Sequence, residues 1–155
     1  MEQTAMKNWY ARYNRLIRES DEMYHNAAKK LGLSDCAFWI FYLLCTEETP
    51  QTQSDICRAV CMPKQTVHSA LKKLTESGYV GYPQEGKKRG RQIILTEKGR
   101  RFAERTMDQV IESEFAALEG MDEEERETFL MLFGKYTRLL GGQMKQIKET
   151  GEKKE

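Results

Sequence analysis

The sequence predicts a mostly α fold carrying one small β-hairpin. Three observations lead there. Apolar residues recur at helical spacing through most of the chain, the period turns strand-like only over residues 79–95, and Gly32, Gly78 and Gly120 fall where the pattern changes.

The first predicted helix covers residues 5–31. Met6, Tyr10, Tyr13, Ile17, Ser20, Tyr24, Ala27 and Leu31 alternate spacings of four and three. That heptad pattern belongs to a helix packed along another helix. Trp9, Leu16 and Met23 widen the stripe, so a chain of this size needs a helical partner to cover it. Ser34 is the N-cap expected for a second helix with a stripe of Phe38, Phe41, Tyr42 and Cys45, closed by Thr49-Pro50. Thr52 caps a short third helix, QSDICRAVC, whose inner face is expected to be Ile56, Cys57, Val60 and Cys61. Pro63 suits the first position of a fourth helix. There Val67, Ala70, Leu71 and Leu74 make one face, Gln65, Ser69 and Lys72 point away, and His68 and Lys73 sit on the shoulders. Gly78 supplies a left-handed cap.

Two short helices joined this tightly make a helix-turn-helix. Residues 79–84 and 91–95 then read as two strands around the tip EGKKRGR, a hairpin wing behind the helix pair. Thr96 begins a helix carrying Phe102, Ala103, Met107, Val110, Ile111, Phe115 and Leu118, which stops at Gly120. Asp122 with Glu125 is a capping box for the last helix, striped by Phe129, Leu132, Phe133, Tyr136, Leu139 and Leu140. Gly141-Gly142 is expected to kink or fray it, and the charged, apolar-free tail at 151–155 to be disordered. Neither an internal repeat nor a flexible linker interrupts the chain.

Net charge is only +1, but its distribution is uneven. Residues 63–101 hold ten Lys/Arg against three Glu, leaving the rest of the chain acidic. One cationic surface on an acidic body is the footprint of a nucleic-acid binder. Within it, Gln65 and His68 are candidates for base edges, since Gln pairs bidentately with adenine in a major groove. Ser69, Lys72 and Lys73 are candidates for phosphates, and Lys64 and Thr66 in the first turn belong to the same surface. Thr52 and Gln53 can offer donors to a phosphate from the start of the preceding helix. At the wing, Lys87, Lys88, Arg89 and Arg91 gather cations that repel one another unless a polyanion lies across them.

Other chemistries find little support. The two histidines, His25 and His68, sit in no metal spacing and beside no nucleophile, and no phosphate-cradling glycine loop is present. An enzyme is not expected, nor a cofactor. Cys57 and Cys61 are one turn apart with no further ligand to complete a zinc set, so no metal is expected. The N-terminus lacks the apolar core of a signal peptide, and the longest apolar run, 37–45, is too short to span a bilayer. A cytoplasmic protein with four reduced cysteines and no membrane partner is expected. Cys36, in the first turn of its helix, meets the dipole end that favours thiolate, making it the candidate redox site against the alternative of an inert thiol.

Helices, helix-turn-helix, wing and closing helices in this order resemble the MarR family of bacterial transcriptional regulators. The resemblance is sharpest in PKQTVHSALKKLTESGYV at 63–80 and RGRQIILTEKG at 89–99. It implies a winged helix-turn-helix over 34–99, dimerisation helices at 1–33 and 121–150, and a connecting helix at 100–120. It also implies a homodimer on double-stranded DNA, with Tyr10, Tyr13, Ile17, Phe129, Phe133, Tyr136 and Leu140 as dimerisation candidates. In that family the arginine six residues before the leucine of the LT pair enters the minor groove, and Arg89 holds that place. Where an aspartate often braces that arginine this chain has Lys87, which suggests a wing that binds phosphates more than it reads shape. A cleft for a small aromatic or lipophilic effector is implied as well, and Tyr13, Tyr24, Trp39 and Tyr42 are the candidate lining. The expected function is therefore a ligand-responsive repressor. A thiol-switched regulator and a winged-helix protein-interaction module are the alternatives.

Overall fold

The apolar stripe of the first helix packs on the core at its C-terminal end and is exposed at its N-terminal end. The structure, a computed structural model, describes residues 2–83 and 91–148. In it α1 (Glu2–Lys30) buries Ala28 and packs Tyr24, Ala27 and Leu31 against the core, while Met6, Trp9, Tyr10 and Leu16 on the same stripe are exposed. Gly32, at φ +70°, turns the chain into α2 (Asp35–Thr46), whose N-cap Ser34 accepts from the Ala37 amide at 3.3 Å.

Next come β1 (Gln51–Thr52), α3 (Gln53–Ala59), α4 (Lys64–Glu76), β2 (Val80–Gly81), β3 (Gln92–Leu95), α5 (Glu97–Glu119) and α6 (Glu123–Met144). The mostly α fold with a small β wing is thus the observed class. Two compact units divide the chain, Met1–Ile111 and Glu112–Glu155, with the boundary inside α5.

In the first unit Phe38, Ile40 and Phe41 of α2 are fully buried with Ile56 of α3, Val67 and Leu71 of α4, Ile93 of β3 and Met107 of α5. All four residues of the predicted inner face of α4 are buried. Burial of side chains this size stabilises by about 1.5–3 kcal/mol each, which is why short helices of modest propensity hold their places.

Several local expectations are corrected. The sheet has three strands, in the order β1-β3-β2 and antiparallel throughout, with Gln51 opposite Ile93 and Val80 opposite Leu95. The extra strand is two residues long and shows no alternation, so only its partner reveals it. The strands of the wing are shorter than predicted, and residues 84–90 lie outside those described. Pro63 is the N-cap of α4 (φ −56°, ψ 140°) and not its first helical residue, its carbonyl accepting from the Val67 amide at 3.1 Å. α3 ends at Ala59, so Cys61 leaves the inner face, takes a left-handed φ of 51° in the turn and is exposed.

The second unit holds the end of α5 and all of α6. Asp122 and Glu125 form the expected capping box, the Glu125 amide donating to Asp122 Oδ1 at 2.8 Å and the Asp122 amide to Glu125 Oε2 at 2.9 Å. α6 runs through Gly141-Gly142 to Met144. Phe129, Leu132, Phe133 and Leu139 are exposed along it. The expected disordered tail lies outside the described residues.

Candidate nucleic-acid interface

The turn between α3 and α4 is built by caps. The Thr52 hydroxyl accepts from the Asp55 amide at 3.3 Å, and the Thr52 amide donates to Asp55 Oδ2 at 2.9 Å. Arg58 Nη2 donates to the other Asp55 oxygen. Hydrogen bonds from the Thr52 side chain and backbone, with the Arg58 contact added, pull the Asp55 carboxyl down to about 2.

Because that pKa is lowered on folding, Asp55 stabilises the fold fully above its ordinary value near 4 and loses the contribution as pH falls toward 2. Asp55→Asn should therefore lower the urea midpoint at pH 7, and the gap to wild type should close in acid. Thr52→Ala, which removes the cap itself, should cost about 1 kcal/mol at neutral pH.

With α3 seated, α4 turns its apolar face inward and leaves Lys64, Gln65, Thr66, His68, Ser69, Lys72 and Lys73 exposed. Gln53, the first residue of α3, joins Lys64, Gln65, His68 and Ser69 around one shallow open depression. Gln53 is therefore gathered with the candidate base readers, while Thr52 is turned to its cap. Lys72 is loosely paired with Glu76, Nζ to Oε1 at 3.8 Å, an exposed pair of little worth that can open to a phosphate.

At the wing base the Arg91 guanidinium lies over the Tyr82 ring, 5.8 Å from its centroid. Lys87, Lys88 and Arg89 lie outside the described residues. Arg100 Nη2 and Arg101 Nε each reach Glu97 at 3.0 Å, and Lys98 Nζ donates to the Ser77 carbonyl at 2.7 Å. Three of the ten basic residues counted over 63–101 thus serve the start of α5.

The base of the wing is held by contacts that sequence reasoning passed over. Thr96 Oγ1 donates to the Gly78 carbonyl at 2.6 Å, its amide donates to the Tyr79 carbonyl at 3.0 Å, and the Gly99 amide donates back to Thr96 Oγ1 at 3.0 Å. The residues concerned lie in LTEKG, a helix start and part of the family resemblance, and neither reading states which carbonyls Thr96 meets.

The effector candidates separate into two groups. Trp39 lies 5.0 Å from Tyr24 and 5.4 Å from Tyr42, ring centroid to centroid, with Phe38 at 5.3 Å completing the cluster. Tyr13 instead stacks on Trp9 at 5.6 Å, in the exposed half of α1. Cys36 is buried, and burial first, then the neighbouring Cys57 thiol, pushes its pKa up. A buried neutral thiol is a poor nucleophile, which favours the inert alternative for Cys36. Cys45, beside Asp108, is pushed up to about 11 for the same first reason. Among the described residues there is no cluster of three potential metal ligands, and no helix is long and apolar enough to cross a membrane.

No curated protein gave a significant sequence match to the chain. The MarR family model matches residues 31–90, a segment that starts just after α1 and includes α2, α3, α4 and β2. Among solved structures, a MarR family regulator from Neisseria meningitidis superposes with a TM-score of 0.76 at 20% identity, over 89% of this chain and 97% of that one. The complex of S. aureus MepR with DNA gives 0.67 at 25% identity, over 83% and 96%. A MarR/EmrR family transcriptional regulator from Acinetobacter sp. ADP1 gives 0.63 at 25% identity, over 91% and 97%. The winged-helix segment thus matches the MarR family model, and the fold around it is shared with MarR family regulators across more than four-fifths of the chain.

Proposed function

We propose that the protein is a sequence-specific DNA-binding transcriptional regulator of the cytoplasm, a homodimer on a pseudo-palindromic operator. The observation that carries the reading is α4, apolar and buried on one side and presenting Lys64, Gln65, His68, Ser69, Lys72 and Lys73 to solvent on the other. A solvated amphipathic helix would look the same by itself. Gln53 gathered beside that face, the Arg91 side chain at the wing base and the likeness to the MepR–DNA complex favour DNA. Gln65 and His68 read base edges in a major groove, Ser69, Lys72 and Lys73 hold phosphates, and the wing enters the flanking minor groove.

The dimer reading is supported by apolar surface on two helices. Trp9 and Tyr10 of α1 are 55% exposed, as is Phe129 of α6, and a soluble monomer seldom leaves such stripes bare. Two copies related by a two-fold axis would cover them and set two recognition helices on one face of the duplex. The Tyr24, Phe38, Trp39 and Tyr42 cluster supports a small aromatic or lipophilic effector. It would relieve repression only through a higher affinity for the dimer shape that does not fit the operator.

Selection from a random duplex pool tests the reading. Enriched sequences should carry two related half-sites about 10 base pairs apart, centre to centre, and the purified protein should sediment as a dimer. A monomer, or a pool without enrichment at low salt, overturns it and favours a protein-interaction module.

A further inference from the structure

We infer that Lys98 is a positioning residue for DNA binding, clamping the C-terminal end of the recognition helix α4 to the first turn of α5 without touching DNA itself. The inference rests on the DNA-binding reading above and assigns a role within it.

Where α4 ends, the amides turn back into the helix. The Ser77 amide donates to Lys73, that of Gly78 to Thr75 and that of Tyr79 to Leu74, each at 2.9 Å. The three carbonyls of the same residues point the other way, and the start of α5 captures all of them. Ser77 O accepts from Lys98 Nζ at 2.7 Å, Gly78 O from Thr96 Oγ1 at 2.6 Å and Tyr79 O from the Thr96 amide at 3.0 Å. Lys98 Nζ also lies 4.5 Å from the centroid of the Tyr79 ring, which packs on Phe102 at 5.0 Å and Phe41 at 5.9 Å. The ammonium thus closes a clamp whose other jaw is buried aromatic packing.

Position explains the choice of a cation. The last carbonyls of a helix carry partial negative charge, and a lysine there is favoured by the dipole as well as by the hydrogen bond. Thr96 alone would hold the strand leaving α4. Lys98 reaches the carbonyl of Ser77, the C-cap of the recognition helix, so it governs the tilt of that helix on α5. A misplaced base-reading face loses affinity although every DNA-contacting side chain is still present.

The competing account is that Lys98, inside a basic stretch, is a phosphate ligand. Salt dependence separates the two, because each phosphate contact adds about 0.9 to the log–log slope. Lys98→Met keeps the aliphatic stem and removes the charge and the donor. On a duplex enriched from the random pool it should bind roughly three- to tenfold more weakly, the size of a lost charged hydrogen bond partly expressed in binding. The salt slope should be unchanged, and Lys98→Arg should restore most of the affinity. In the free protein the Gly78 and Tyr79 amides of the methionine variant should exchange hydrogen several-fold faster than in wild type. A slope lower by about two per dimer makes Lys98 a phosphate ligand and overturns the inference. Unchanged exchange at Gly78 and Tyr79 overturns the clamp, and faster exchange with unaltered affinity overturns its role in binding. A wild type that binds no duplex is seen before any variant is made and removes the DNA reading itself.

Discussion

Gly99→Ala should destabilise the protein by about 3 kcal/mol, although the same change in a helix interior normally stabilises by up to about 1 kcal/mol. Gly99 lies in the first turn of α5 and is buried. A β-carbon there would stand 2.0 Å from the Tyr79 carbonyl oxygen and 3.0 Å from its carbon. The obstacle is backbone, and backbone already held by the Thr96 amide at 3.0 Å and the Thr96 hydroxyl at 3.2 Å. To admit a methyl group, α5 must slide off the end of α4, opening the wing base and parting Phe102 from Tyr79 and Phe41. In a domain of this size the loss corresponds to a fall in melting temperature of roughly 10 °C. Gly134→Ala is the control. Its β-carbon would meet only the end of the Arg138 side chain, at 3.8 Å, so it should raise stability by a few tenths of a kcal/mol or more. Urea denaturation of both variants decides the matter, and a Gly99→Ala protein as stable as wild type would mean that α5 does not approach Tyr79 this closely.

Duplex affinity should fall about a thousandfold or more between 50 and 200 mM salt. That is the loss for a dimer that neutralises about six or more phosphates, each releasing condensed counterions. Lys64, Lys72, Lys73 and Arg91 are exposed on the proposed face of each protomer, so two copies reach that number from the described residues alone. Lys72 is the one to remove first, because its pairing with Glu76 at 3.8 Å is too weak to make it structural. Lys72→Ala in both protomers should lower the log–log slope by about two and weaken all sequences alike. Gln65→Ala should leave the slope intact and relax preference at one base pair per half-site, a discrimination worth about 1–3 kcal/mol. Fluorescence anisotropy over a salt series reads both effects. A slope near zero would leave the exposed face of α4 as an ordinary solvated surface.

How far the sequence speaks depends on the range of the forces involved. The caps at Ser34, Thr52 and Asp122, the left-handed Gly78 and the inner face of α4 are settled within one or two turns of chain, and each is found where its residues predict. Pro63 stands one position earlier than its residue type predicts, its φ of −56° suiting a helix start while its ψ of 140° is the extended value of an N-cap. β1 could not be read, because Gln51 and Thr52 become a strand only when β3 lies beside them. For Cys36 the sequence offers both a dipole-favoured thiolate and an inert thiol, and the burial that raises its pKa favours the second. The basic count over 63–101 likewise includes Lys98, whose Ser77 partner no charge tally along the chain records.

By itself, then, the sequence determined the helices, their inward faces, the helix-turn-helix and the family resemblance, all of which follow from periodicity and from caps a few residues apart. Only the tertiary structure decided that Lys98 holds the Ser77 carbonyl, that Gln53 stands with the base-reading candidates, and that Gly99 must lack a side chain. Those facts depend on residues well apart in the chain meeting in space, and no local pattern records which carbonyl a side chain will find when the chain closes on itself.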